Sequence, residues 1–190
     1  DIPLLKSAGQ DTEIGMGISL AQLDPELAQR VEPGTPAPRA RLELISRLRE
    51  AGLPCSVMAM PILPWLTDGD ESLDALFGAL AAAGATGVTA GALHLRPGAR
   101  EWFLAFIARE YPHLSGKYAR LYGGGTYASK EYRQWLAGRV QFFKKKHGFT
   151  SRARFLPSRS AADTGPEKPT RVAGPSRAAE ALAPAAQTLF

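Results

Sequence analysis

Residues 52–61, GLPCSVMAMP, follow a charged amphipathic run and lead into ILPWLTDGD. This order reads as helix, short turn, buried strand and proline-rich loop, which is the grammar of a parallel α/β protein. The segments on either side repeat it. Residues 14–20, IGMGISL, form an apolar run with two glycines, suited to a buried strand whose backbone is closely approached. Its polar end at Ser19, Gln22 and Asp24 marks the carboxyl edge where an α/β sheet usually meets its ligand. The run PGTPAP at 33–38 bars regular structure and then permits a helix start. That helix carries Leu42, Ile45 and Leu48 on one face and ends at Gly52.

Further on, Pro61 and Pro64 close the second strand, and Asp68 stands three residues before Glu71 in a capping-box pattern. Leu73, Leu76, Phe77 and Leu80 line the next helix, which Gly84 ends. Residues 87–95, GVTAGALHL, predict a third strand with His94 and Arg96 at its end. A helix over 101–110 then turns Trp102, Phe103, Phe106 and Ile107 inward. The repeat of about 35 residues allows each helix to cross back over a parallel sheet, in a doubly wound fold or a barrel. Three strands cannot close a barrel, and alone they leave edges exposed.

Residues 111–149 read differently, as a helical extension: a short helix over 112–122, a flexible joint at Gly123, Gly124 and Gly125, and a helix from Ser129 to about Lys146. Tyr132, Trp135, Leu136, Val140 and Phe143 make its apolar stripe. The triple glycine lacks the Lys-Ser/Thr of a phosphate loop. The basic end, Lys144 to His147, suits either the helix dipole or a phosphate. Residues 150–190 are rich in Ala, Pro, Arg and Ser, and disorder is expected there.

Charge and cysteine content narrow the function. The 23 basic and 18 acidic residues give +5, but six basic and three acidic ones fall in 151–190, leaving 17 against 15 in the folded part. So balanced a surface offers little to DNA by electrostatics alone. Cys55 is the single cysteine, so no internal disulfide and no Cys-rich metal site can be completed from this chain. No apolar run is long enough for a membrane span, no signal segment opens the chain, and the expected location is cytoplasmic. The first residue is Asp1 rather than methionine, and it is not expected to be a translation start.

From Ile18 to Phe149 the chain resembles the C-terminal half of a radical S-adenosylmethionine protein, and within that group the actinobacterial, spore-photoproduct-lyase-related (DNA repair photolyase-like) family. The resemblance is carried by LDPEL at 23–27, EPGTPAPRARL at 32–42, AGLP at 51–54, 57–68, GATGV at 84–88, HLRPG at 94–98 with Arg100, Glu101 and Trp102, and Lys130, Glu131 and Tyr132. It implies that residues 1–110 are the later β/α repeats of a partial (β/α) barrel. It further implies S-adenosylmethionine cleaved reductively at a [4Fe-4S] cluster to a 5′-deoxyadenosyl radical, with a ferredoxin or flavodoxin as reductant. The substrate implied is a DNA or RNA lesion, or another small molecule or RNA base. By the same resemblance Ser19 and Arg41 contact the cofactor, Met60 and Pro61 with Met58 pack near adenine, and His94 and Arg96 act on substrate. Read without it, Ser19 is a turn hydroxyl, Arg41 a surface charge, the methionines plain core and His94 a structural histidine, while Glu32 and Asp68 bind Arg39 or cap loops. The family's three-cysteine loop is absent, so the chain is expected to be truncated and inactive alone. The alternative is a non-catalytic α/β module that binds another chain through its open sheet edge or its Tyr132/Trp135 stripe.

Overall fold

A computed structural model describes residues 1–12 and 14–149. The expected disordered tail lies outside the described residues. The elements are α1 (Ile2–Asp11), β1 (Met16–Ser19), α2 (Pro25–Val31), α3 (Pro38–Glu50), β2 (Cys55–Ile62), α4 (Asp70–Ala83), β3 (Gly87–Ala92), α5 (Ala99–Glu110), a 3-10 turn (Pro112–Leu114), α6 (Ser115–Tyr122) and α7 (Lys130–Lys146). The sheet is parallel throughout in the order β1-β2-β3. Successive parallel crossovers of one hand, stepping in one direction across a sheet, place their helices on the same face.

The core follows that rule. Val57 and Ala59 of β2 and Val88 of β3 lie with Ile45 and Leu48 of α3, Leu73, Phe77 and Leu80 of α4, and Leu136, Val140 and Phe143 of α7 in one apolar cluster. α7 thus takes the place beside β3 that the next crossover helix would occupy. A second cluster sits beyond the carboxyl ends of the strands. There Leu27 of α2, Leu63 and Leu95 of the strand-end loops, and Phe103, Phe106, Tyr118 and Tyr122 of α5 and α6 close together.

Local chemistry sets the boundaries. Asp24 caps α2 by accepting from Glu26 N–H at 2.9 Å and Leu27 N–H at 3.2 Å, and Pro25 and Pro38 each occupy a first-turn position where no donor is lost. α3 and α4 end as their sequences predict. Gly52 (φ 77°) and Gly84 (φ 89°) take left-handed backbone, which lets Leu53 N–H reach Leu48 O at 2.9 Å and Ala85 N–H reach Leu80 O at 3.0 Å. Asp68 is a correction. The first turn of α4 has Gly69 at its cap with no side-chain bond, and the Asp68 carboxylate is recruited elsewhere. At the basic end of α7, Lys146 and His147 reach Asp74 of α4 at 2.7 and 2.6 Å. Among the described residues no helix is long and apolar enough to cross a membrane.

Candidate functional site at the uncovered sheet face

Among the described residues, helices cover one face of the sheet and leave the carboxyl half of the other open. Along β2, Val57 and Ala59 are inaccessible, whereas Met58 between them is 39% exposed. In register, Ser19, Met58 and Thr89 form one row across the three strands. Met60 follows on the same strand, its terminal methyl 3.9 Å from where a Cβ on Gly91 would lie, so the thioether leans over a position with no side chain. The Met60–Pro61 peptide is cis. The face therefore offers a hydroxyl at each margin and two polarizable thioethers in the middle.

At the β1 margin Ser19 and Arg41 meet. Arg41 stands in the first turn of α3 and donates from Nε to Pro36 O at 2.9 Å, and from one terminal nitrogen to Ser19 O at 2.9 Å and Ser19 Oγ at 3.3 Å. Its other terminal nitrogen pairs with Glu32 at 2.8 Å. Each of its three nitrogens thus has an acceptor within the chain, and the guanidinium ties together the ends of β1 and α2 and the start of α3. The pairing expected between Glu32 and Arg39 does not form; Arg39 instead meets Glu43 one turn along its own helix. Ser19 is exposed and keeps its hydroxyl hydrogen to donate.

The loop after β2 is held by groups the sequence did not single out for that task. Asp68, buried, accepts from Trp65 N–H at 2.8 Å and from the Tyr132 hydroxyl at 2.8 Å. Trp65 has φ 59°, a left-handed backbone rarely adopted by so large a residue, and the bond from its N–H to Asp68 holds it there. Tyr118 donates to Pro64 O and Tyr122 to Leu93 O, both at 2.7 Å. Burial pushes all three phenols well above their usual range. Sequence spacing had placed Tyr132 in an apolar stripe, and nothing in that spacing marks a hydroxyl that reaches 64 residues back along the chain.

Burial also raises the Asp68 carboxyl above its ordinary 3.8, against the lowering bonds from Tyr132 and Trp65 and the charge of Arg139. A carboxyl raised on folding takes its proton first in the native state. Its contribution to stability is therefore fullest below the unfolded value and is lost as pH rises through the folded one. Tyr132→Phe removes a donor from the ionised form and raises Asp68 further. Urea unfolding should show a loss of about 1–3 kcal/mol at neutral pH, shrinking as pH falls below the unfolded value. An equal loss at both pH values would contradict this account.

His94 and Arg96 lie at the opposite margin of the sheet, past the end of β3 and two strand spacings from Ser19. Both are exposed. The His94 ring stands 5.9 Å from that of Tyr127, and its backbone bridges Tyr127. Arg96 O accepts from Arg100 N–H at the start of α5. The candidates thus fall into three groups: Ser19 with Arg41, Met60 with Pro61, and His94 with Arg96. Cys55 is buried in the main core, and burial pushes its thiol up, so this chain's residues do not fit a [4Fe-4S] cluster. Among the described residues no group of three His, Cys, Asp or Glu side chains is placed to hold a metal ion.

No family model matches the chain, and no solved structure matches it. It is 45% identical over 170 residues to an uncharacterized protein of Mycobacterium tuberculosis strain H37Rv, a match covering 90% of this chain and 50% of that protein. An uncharacterized protein of Mycobacterium bovis matches to the same extent. An uncharacterized protein of Acidianus two-tailed virus is 33% identical over 87 residues, which is 44% of this chain and 29% of its own. The chain spans about half the length of the curated mycobacterial relatives it matches.

Proposed function

We propose that the uncovered sheet face is one wall of an adenosyl-binding cavity, belonging to a cytoplasmic protein of the radical S-adenosylmethionine type whose cluster is held by polypeptide outside this chain. The observation that supports this reading is the one-sided sheet. A doubly wound sheet buries both faces under helices, whereas a barrel segment keeps one face free toward the lumen, and here that free face carries Ser19, Met58, Met60, Thr89 and Gly91. Met58 and Met60 supply an apolar, polarizable bed for a purine, with Pro61 beside it, and Gly91 leaves space at the centre. The Ser19 hydroxyl is free to donate to a ribose or amino-acid oxygen. Arg41 orients the Ser19 carbonyl and hydroxyl; with its donors engaged it acts in this reading through Ser19 rather than as a free carboxylate clamp. When bound with its cluster, S-adenosylmethionine supplies a radical that abstracts hydrogen from substrate. This chain's residues bind, orient and exclude water. His94 and Arg96 would face a substrate from the β3 margin. A nucleic-acid lesion as that substrate, and a ferredoxin or flavodoxin as electron donor, rest on the resemblance alone.

The test uses the chain's three methionines. Met16 belongs to the helix-covered core, whereas Met58 and Met60 lie on the free face. With 13C-labelled methionine methyl groups, titration with S-adenosylmethionine should shift Met58 and Met60 saturably and leave Met16 in place. If all three methyl signals stay still at millimolar ligand, the adenosyl reading is lost.

A further inference from the structure

A separate recess of about 280 Å³ lies between the free edge of β3 and α7. Its floor is apolar, formed by Ala90, Ala92, Leu136 and Val140, and its rim is formed by His94, Tyr127 and Arg133. Among the described residues no carboxylate lines it. The rim is fixed by the backbone. Leu95 N–H donates to Thr126 O at 2.7 Å, and the His94–Tyr127 bridge brings the segment before α7 alongside the end of β3. Arg133 is held by its Nε, which donates to Ala128 O at 3.1 Å, and its guanidinium stands 5.8 Å from the centre of the Tyr127 ring. The terminal nitrogens of Arg133 and the imidazole of His94 make no hydrogen bond or ion pair among the described residues. Glu131, whose carboxyl is lowered first by bonds from its own backbone N–H and the Ser129 side chain and last by the Arg133 charge, lies outside the lining.

We infer that this recess binds a small organic anion: a carboxylate or phosphate monoester head held by Arg133 and His94, on a compact apolar body seated over Leu136 and Val140. Arg133 carries a planar set of donors already oriented by its bond to Ala128, the arrangement that recognises a two-oxygen head group. Tyr127 supplies a further donor and a ring wall. An apolar floor with a few convergent polar groups is the common form of a small-ligand site. The recess shares Gly91 and His94 with the adenosyl reading, but it does not depend on that reading: Arg133, Leu136 and Val140 of α7 make its head-group donor and floor, and neither Met58 nor Met60 lines it.

Benzoate and phenyl phosphate are the probes, with benzyl alcohol as the uncharged control, titrated into the full chain and followed by amide chemical shifts. At least one anion should bind saturably with shifts at His94, Tyr127 and Arg133, and benzyl alcohol should bind about tenfold more weakly or less, as expected when a charge-assisted pair is missing. The tighter of the two anions assigns the head group. Arg133→Gln and His94→Gln should each weaken binding about tenfold. The His94 change breaks no side-chain bond of the fold, which keeps the test valid if the Arg133 variant is unstable. Arg120→Gln, exposed and outside the lining, should change nothing. Absence of saturable binding by both anions, or full binding by a folded His94→Gln protein, would overturn the inference, as would equal loss in Arg120→Gln.

Discussion

Replacing Phe77 by alanine is expected to lower stability by about 3–5 kcal/mol, the range for truncating a fully buried aromatic side chain. Phe77 is inaccessible on the inner stripe of α4, within the cluster where β2, β3, α3 and α7 converge. Its ring meets Phe149 edge-on at 6.3 Å, a contact that adds about 0.5–1.5 kcal/mol beyond area burial. A domain of this size is stable by only about 5–15 kcal/mol, so the loss is a large share of the total. Urea unfolding should show the midpoint falling with little change in slope. Phe142→Ala supplies the contrast. Phe142 lies on the same helix as Phe143 but is 63% exposed, so its removal should cost no more than about 1 kcal/mol. Similar costs at the two positions would mean that α7 does not pack on the sheet as described.

The Phe77 stripe was legible in the sequence because helical periodicity is a local property: Leu73, Leu76, Phe77 and Leu80 repeat at the spacing that puts them on one side, and Gly84 ends the run. The three strands were legible for a related reason, since each is a short apolar run closed by Pro, Gly or a polar cluster. α1 passed unread; it buries no residue fully, and only Ile2 and Leu5, one turn apart, lean on the core, too short a stripe to stand out. α2 passed unread as well, although Asp24-Pro25 is a cap followed by a first-turn proline, because seven residues show no period. The uncovered face was hidden by composition. Met58 and Met60 are apolar, so β2 reads as uniformly buried although its two sides differ. Asp68 shows the limit of spacing most directly. Its position before Glu71 meets the capping pattern, yet a tyrosine hydroxyl and a left-handed backbone N–H compete for the same carboxylate and win. Glu32 is similar, because nothing local distinguishes Arg39 from Arg41 as its partner.

Arg41→Ala should cost about 2–3 kcal/mol, within the range for losing hydrogen bonds made by a charged group. The Arg41 side chain is 11% exposed, and its loss strands Ser19 O, Pro36 O and the Glu32 carboxylate together. Glu32 is 33% exposed and regains water, which keeps the cost below that of breaking a fully buried pair. Arg41→Lys should recover less than half of it, because one compact ammonium cannot span acceptors on three segments that the planar guanidinium reaches at once. Hydrogen exchange distinguishes a local effect from a global one. In both variants the Leu20 amide, which donates to Met58 O at 3.0 Å at the end of β1, should exchange faster than the fall in global stability accounts for. The β3 strand amides should follow the global change alone. If Arg41 positions Ser19 for an adenosyl ligand, Arg41→Lys should also weaken the Met58 and Met60 methyl shifts while leaving anion binding at Arg133 intact. If Arg41 serves the fold only, the lysine variant should lose stability and keep both ligand responses. The two roles are separable because the guanidinium touches Ser19 at the margin of the free face and no residue of the β3 recess.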